Sequence, residues 1–248
     1  MFELTLCHLY PDLLNIYGDR GNIIALQKRA EWRGIRMHVV PVTLGDAFDA
    51  EDYDIVFLGG GQNFEQEIIQ KDILYQKGNE IKNAIHGGKV FLCICGGYQL
   101  LGKFFRTSDG REIQFLGVLD LWTVEGKERM IGNLLFECDF LKDGMGDHRI
   151  IGFENHSGKT YLGEGVTPLG KVILGFGNNG EDGFEGARYK NVFCSYSHGS
   201  LLPKNPKLAD YLLLTALKEK YKDVEVLAPL NDRFEKKARD AMIKRLCR

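Results

Sequence analysis

Cysteine, proline and unbroken apolar sequence are all scarce in this chain, and each scarcity excludes something. No run of about 18 apolar residues is present, so no membrane-spanning helix is expected. The opening MFELTLCHLY lacks the charged flank, long apolar stretch and small-residue cleavage site of a secretory signal. The six cysteines (Cys7, Cys93, Cys95, Cys138, Cys194 and Cys247) are scattered and mostly sit in apolar segments, unlike a disulfide framework. A cytoplasmic chain with reduced thiols is therefore expected. Only six prolines occur, and no Pro/Ser-rich linker divides the 248 residues. One main domain over residues 1–228 is expected, followed by an amphipathic helical tail over 229–248. Neither charge sign dominates: the net charge is -2, which gives no reason to bind nucleic acid. There is no G-x-x-x-x-G-K-[ST] loop, and Gly59-Gly60-Gly61 lacks the spaced glycines of a dinucleotide site. Cys93 and Cys95 have neither a second cysteine pair nor paired histidines beside them, so no metal site is expected.

What the chain does contain is a βαβ rhythm. Apolar runs rich in β-branched and aromatic residues recur at 2–9, 35–42, 53–58 and 90–94, separated by segments of helical period. Residues 22–33 carry Ile23, Leu26 and Ala30 at helical spacing before Gly34 stops them, and a second helix is expected over about 64–85. The fold class is α/β: a flavodoxin-like, mainly parallel sheet with helices on both faces. From 116 to 193 the pattern turns β-rich, with runs at 116–124, 130–140, 171–176 and 191–196 that read as antiparallel additions. Helices are expected again at 207–220 and in the tail from Asn231, whose Phe234, Ala238, Ala241, Met242 and Leu246 share one face.

Glycine clusters follow the third and fourth apolar runs, where ligands bind in open α/β sheets. In KVFLCICGGYQLLGKFF a buried strand ends at Cys95, and two glycines lead into a helix. Such an elbow lifts a nucleophile above the sheet, and the adjoining helix N-terminus favours a thiolate. Cys93, two residues earlier in the apolar run, reads as a small core residue. A cysteine nucleophile needs a base, and of the six histidines His198 in NVFCSYSHGSLL stands directly after an apolar run and before a small-residue turn. His156 in GFENHSGKT is the other candidate, or else a structural or substrate-side histidine.

Five stretches, LYPDLLNIYGDRGNI (9–23), FLGGGQNFEQE (57–67), CICGGYQLLG (93–102), GFENHSGKT (152–160) and YSHGSLL (196–202), together resemble the class I glutamine amidotransferases. The branch is the cobyric-acid-synthase-like one, and within it the chain resembles the GatD type of subunit from lipid II isoglutaminyl synthases. The resemblance implies Cys95 as nucleophile, His198 as general base and Arg129 in GKERMIGN as a glutamine-binding residue whose planar fork suits the α-carboxylate. The alternative reading of Arg129 is a solvated surface charge. The resemblance also implies an oxyanion hole made of the Gly60 and Gly96 backbone N–H groups.

One departure stands out. Many class I members carry a glutamate two positions after the histidine, whereas this chain reads His198-Gly199-Ser200. A Cys–His dyad, or an orienting group supplied from elsewhere, must then serve. With no nucleotide loop in the chain, ATP and Mg²⁺ are expected on a partner. The resemblance implies a Mur-ligase-like synthetase of the MurT type, which amidates the D-glutamate of the lipid II stem peptide with ammonia from L-glutamine. The alternatives are a glutaminase for cobyrinic or cobyric acid amidation and a non-catalytic binding module.

Overall fold

Residues 90–94, VFLCI, are apolar at every position, a pattern stable only in mid-sheet with both faces covered. The computed structural model describes residues 1–61, 63–142 and 148–247, the side chains of Tyr17 and Asn63 excepted. In it this run is strand β4 (Val90–Ile94), flanked by β3 (Ile55–Leu58) and β12 (Val192–Ser195). With β1 (Glu3–Leu9), β2 (Arg36–Val42) and β11 (Ala187–Tyr189) they form a six-stranded sheet in the order β11-β12-β4-β3-β1-β2. All neighbours are parallel except the β11/β12 pair.

Strand alternation divides the core. Val56, Leu58, Phe91 and Cys93 face one side, where Ile69, Ile73, Ile81 and Ile85 cover them from α2 (Asn63–Lys71), a π-helical segment (Asp72–Gln76) and α3 (Gly78–His86). Ile55, Phe57, Leu92 and Ile94 face the other side. There α1 (Arg20–Glu31) contributes Ile23, Leu26 and Ala30, and α6 (Pro206–Lys220) contributes Leu208, Leu212, Leu213 and Ala216. Each large side chain so buried contributes roughly 1.5–3 kcal/mol. Gly34, at φ 68°, lies just past α1 in the left-handed conformation that ends helices.

The single helix expected over 64–85 is three pieces, and a buried charge pair accounts for the break. In the π segment the Lys77 N–H reaches the Asp72 carbonyl five residues back, at 3.1 Å, which puts both side chains on one face. The Asp72 carboxylate then accepts from Lys77 Nζ, from the Tyr10 hydroxyl at 2.7 Å and from the Gly45 N–H at 3.1 Å.

Most of the β-rich segment builds a second sheet instead of widening the first; β11 alone joins the first sheet antiparallel. The runs at 116–124 and 130–140 contribute to one long strand, β7 (Leu121–Glu137), whose register shifts between Glu125 and Met130. It pairs antiparallel with β8 (Arg149–Leu162), a strand not expected from the sequence because RIIGFENHSGKTYL mixes glycine with polar residues. Around this hairpin lie β5 (Phe104–Arg106), β6 (Glu112–Gln114), β9 (Gly170–Leu174) and β10 (Phe184–Glu185). Two short helices follow β4 and β12, α4 (Gly96–Leu100) and α5 (Leu201–Lys204). The tail, described as far as residue 247, forms α7 (Arg233–Leu246), which packs Ile243, Met242 and Leu246 on Leu135 and Ile151 of the hairpin. No helix among the described residues is long and apolar enough to cross a membrane.

Candidate active site

The chain leaves β4 at Cys95 and turns at once into α4, which forces Cys95 to φ 49°, ψ -103°, a conformation costly for any residue with a side chain. Three contacts hold it there. The Cys95 N–H donates to Ser195 O of β12 at 2.8 Å, the Gln99 N–H to Cys95 O at 3.0 Å, and the Gly97 N–H to Gly59 O at 3.1 Å. Both elbow glycines are required by close approach: a Cβ on Gly97 would lie 2.7 Å from Leu58 O, and one on Gly96 2.8 Å from Gly61 N. Cys95 is partly exposed, while Cys93 is wholly buried in the core.

His198 follows β12 and is buried, its own N–H donating to Phe153 O of β8 at 2.7 Å. Burial alone would depress its pKa, but the Cys95 sulfur and the Asp19 carboxylate, both against the ring, push it up to about 10. Asp19 Oδ2 lies 3.5 Å from His198 Nδ1, and Asp19 is itself wholly buried.

The other expected residues fall as follows. The Gly96 N–H donates to no described acceptor, and neither does that of Gly61, whereas the Gly60 N–H donates to Asp19 Oδ2 at 2.8 Å. Arg129 is exposed on β7 at the register shift, and its Nε donates to Asn155 Oδ1 of β8; no described contact joins it to Cys95 or His198. His156 is buried and stacked on the Tyr196 ring at 3.7 Å, with Nδ1 2.8 Å from Gly158 O and Nε2 3.7 Å from Glu154 Oε2. These contacts hold it as part of the packing between β8 and the segment after β12.

Beneath the elbow runs a polar chain that sequence reasoning did not single out. Gln66 Nε2 donates to Gln99 Oε1 at 2.8 Å, Gln99 Nε2 to the Tyr196 hydroxyl at 3.0 Å, and Tyr196 reaches Thr160 at 2.5 Å. Glu185 of β10 closes the far side: its Oε1 accepts from Ser195 Oγ at 2.6 Å and from the Tyr196 N–H at 2.8 Å. Burial raises this carboxyl to about 7, with nearby Glu154 adding to the effect against those two hydrogen bonds. Gln66, Gln99, Thr160 and Tyr196 each lie inside a stretch quoted above, but no local pattern joins them, because α2, α4, β8 and the segment after β12 bring them together only in the fold. Asp19 too was missed, although it lies within a quoted stretch.

The family model described as a CobB/CobQ-like glutamine amidotransferase domain matches residues 5–206. The chain is 45% identical over 230 residues, 92% of its length and 86% of the relative's, to the GatD subunit of lipid II isoglutaminyl synthase (glutamine-hydrolyzing) from Streptococcus pneumoniae. It is 44% identical over 220 residues to the subunit of the same name from Staphylococcus aureus, covering 89% of this chain and 87% of that one. A probable cobyric acid synthase from Methanothermobacter thermautotrophicus is 34% identical over 78% of this chain, a match that spans only 38% of that protein. Among solved structures, PurLQS from Thermotoga maritima superposes with a TM-score of 0.56 at 20% identity, covering 79% of this chain and 87% of that chain. A glutamine amidotransferase from the same organism gives 0.54 at 17%, covering 98% and 93%. These two show the fold alone. With the family model matched from the first strand to the start of α6, and two relatives this similar along almost their whole length, the chain belongs to the CobB/CobQ-like glutamine amidotransferases.

Proposed function

We propose that the chain is a glutaminase subunit that hydrolyses L-glutamine at Cys95 and passes the ammonia to a separate synthetase subunit. The observation that carries this is the buried His198 imidazole set against the sulfur of a strained elbow cysteine, with the Gly96 and Gly61 N–H groups donating to no acceptor among the described residues. The thiolate attacks the side-chain carbonyl carbon, and the oxygen of the tetrahedral intermediate takes up the negative charge. The Gly96 N–H and that of Gly61 receive this oxyanion, one residue later than Gly60, whose N–H is engaged by Asp19. As the C–N bond breaks, imidazolium His198 donates its proton to the departing nitrogen and ammonia leaves. Neutral His198 then accepts a proton from water as it attacks the γ-glutamyl thioester, which releases glutamate and restores the thiolate and imidazolium. Arg129 binds the substrate α-carboxylate from the β7 side.

The acceptor reading is amidation of the lipid II stem-peptide D-glutamate to D-isoglutamine in the cytoplasm. A Mur-ligase-like subunit of the MurT type holds ATP and Mg²⁺ and activates the carboxyl group. Support comes from the names of the two relatives at 44% and 45% identity. Cobyric acid amidation is less favoured because the matched synthase is far longer than the segment it shares with this chain. The test is release of glutamate and ammonia from glutamine, measured for the chain alone and with each class of synthetase. Wild type should turn over, Cys95→Ser should not, and His198→Ala should lose about 10²- to 10⁴-fold in rate. A Cys95→Ser protein with wild-type turnover refutes the mechanism, and ammonia transfer only to a cobyric-type synthetase refutes the acceptor.

A further inference from the structure

The stretch LYPDLLNIYGDRGNI has no part in the reaction as written above, yet it is wedged between the two turns of the site. Its Ile16 N–H donates to Gly60 O at 3.2 Å. Ser200, which stands where many class I members carry a glutamate, donates through Oγ to Gly18 O at 2.6 Å. A Cβ on Gly21 would come within 2.1 Å of that Ser200 Oγ, and Asn22 Oδ1 accepts the Leu202 N–H at 2.8 Å. The motif Gly18-Asp19-x-Gly21-Asn22 is therefore a socket for the His198–Leu202 segment.

Asp19 sits at the head of α1, where an aspartate ordinarily caps its own helix, but its side chain makes no such bond. Instead it is wholly buried, Oδ2 accepting from the Gly60 N–H at 2.8 Å and lying 3.5 Å from His198 Nδ1. Burying a carboxylate is costly unless charge and hydrogen bonds compensate it. An imidazolium, an N–H group and the positive end of α1 supply that compensation here.

We infer that Asp19 is the positioning residue for His198, supplying from the start of the chain the carboxylate that the His198-Gly199-Ser200 sequence lacks. It holds Nδ1 toward itself, which turns the other ring nitrogen to the sulfur. Through Gly60 the same oxygen fixes the oxyanion turn relative to the imidazole, so base and oxyanion donors share one anchor. The titratable groups described against His198 are Cys95 from the elbow, Asp19 from the head of α1, and Lys204 of α5, whose Nζ donates to the His198 carbonyl at 3.3 Å. The inference rests on the reading of Cys95 and His198 as nucleophile and base.

The test measures glutaminase kinetics and the pH profile of Cys95 alkylation by iodoacetamide, mapped by peptide mass, in the full chain. Asp19→Asn should lose about 10²- to 10⁴-fold in kcat with KM within about threefold. Its pH of half-maximal alkylation should rise by about one unit or more, because an unsupported imidazolium stabilises the thiolate less. Asp19→Glu, which keeps the charge, should recover part of both. A purely packing role would lower the melting temperature and leave the alkylation midpoint where it is, and that result overturns the inference. Should Asp19→Asn fail to fold, Cys95→Ala provides the second measurement with Asp19 intact. There neutral His198, followed by ¹⁵N NMR, should carry its proton on Nδ1, the nitrogen that faces Asp19 Oδ2 at 3.5 Å. A neutral ring protonated on Nε2 overturns the proposal. An inactive wild type, or an active Cys95→Ala, overturns the glutaminase reading and this inference with it. An active wild type, an inert Cys95→Ala and an Asp19→Asn of unaltered kcat and profile overturn this inference alone.

Discussion

Replacing Glu185 by glutamine separates charge from shape behind the elbow. The carboxyl is wholly buried, and its raised pKa means that the folded protein binds the Glu185 proton more tightly than the unfolded chain does. The stabilisation from that proton is fully present below the unfolded value of 4.5 and is lost as pH rises through the folded value of about 7. Displacement between those two values is worth about 3 kcal/mol, most of it developed between pH 5 and pH 8. Glutamine keeps an acceptor for Ser195 Oγ and the Tyr196 N–H but carries no charge. Any cost of its new N–H₂ group is the same at every pH, so the informative quantity is how the stability difference changes. Relative to wild type, Glu185→Gln should gain about 2–3 kcal/mol on going from pH 5 to pH 8, a swing of roughly 5–10 °C in melting temperature for a domain of this size. Thermal or urea unfolding of both proteins at the two pH values measures it. Stability curves that run parallel between pH 5 and pH 8 would falsify the buried-charge account.

Gly60→Ala should fold but lose about 10²-fold in kcat, since its Cβ would come 2.7 Å from His198 Cε1 and displace the ring; steady-state kinetics beside a circular dichroism melt separates the two effects. Arg129→Ala should raise the KM for glutamine and leave kcat nearly unchanged, and an unaltered KM assigns Arg129 to the solvated surface. Truncation after Leu230 removes Ile243, Met242 and Leu246 from Leu135 and Ile151, and takes Asp232 from its 2.8 Å pair with Arg29. With one large side chain in α7 buried, worth roughly 1.5–3 kcal/mol, the truncated chain should still fold and melt about 4–10 °C lower. Phe234 is 79% exposed on this helix, and we expect weaker titration with the synthetase subunit; unchanged affinity removes α7 from that interface.

The parts of the fold visible in the sequence are those whose signal is local. The four apolar runs became β1 to β4 within three residues at each end: β3 and β4 are buried at every position, and β2, an exposed edge strand, was still marked by its three valines. The elbow at Cys95 was legible because strand, glycines and helix follow one another within eleven residues. Strand β8 was not, since Gly152, Asn155 and Gly158 have little strand preference and only pairing with β7 holds them extended. Nor was the π segment, which exists to satisfy Asp72 and Lys77 beneath Tyr10, more than 60 residues away. Asp19 is the clearest case. In sequence it is one polar residue in a loop, and what distinguishes it is burial and a neighbour 179 positions distant, neither of which a local pattern records.

That separation also sets a timetable for the newborn chain. Ribosomes add roughly 5–20 residues per second, so about 5–20 s pass between the synthesis of Cys95 and that of His198. During that interval the Cys95 N–H has no Ser195 carbonyl to bind, and the sulfur has no imidazole beside it. Closing the socket joins Ser200 to Gly18 across 182 positions, a contact of the kind that slows folding. An incomplete chain therefore lacks the contacts that set the Cys95 elbow, and the pairing of Cys95 with His198 waits until β12 has entered the sheet.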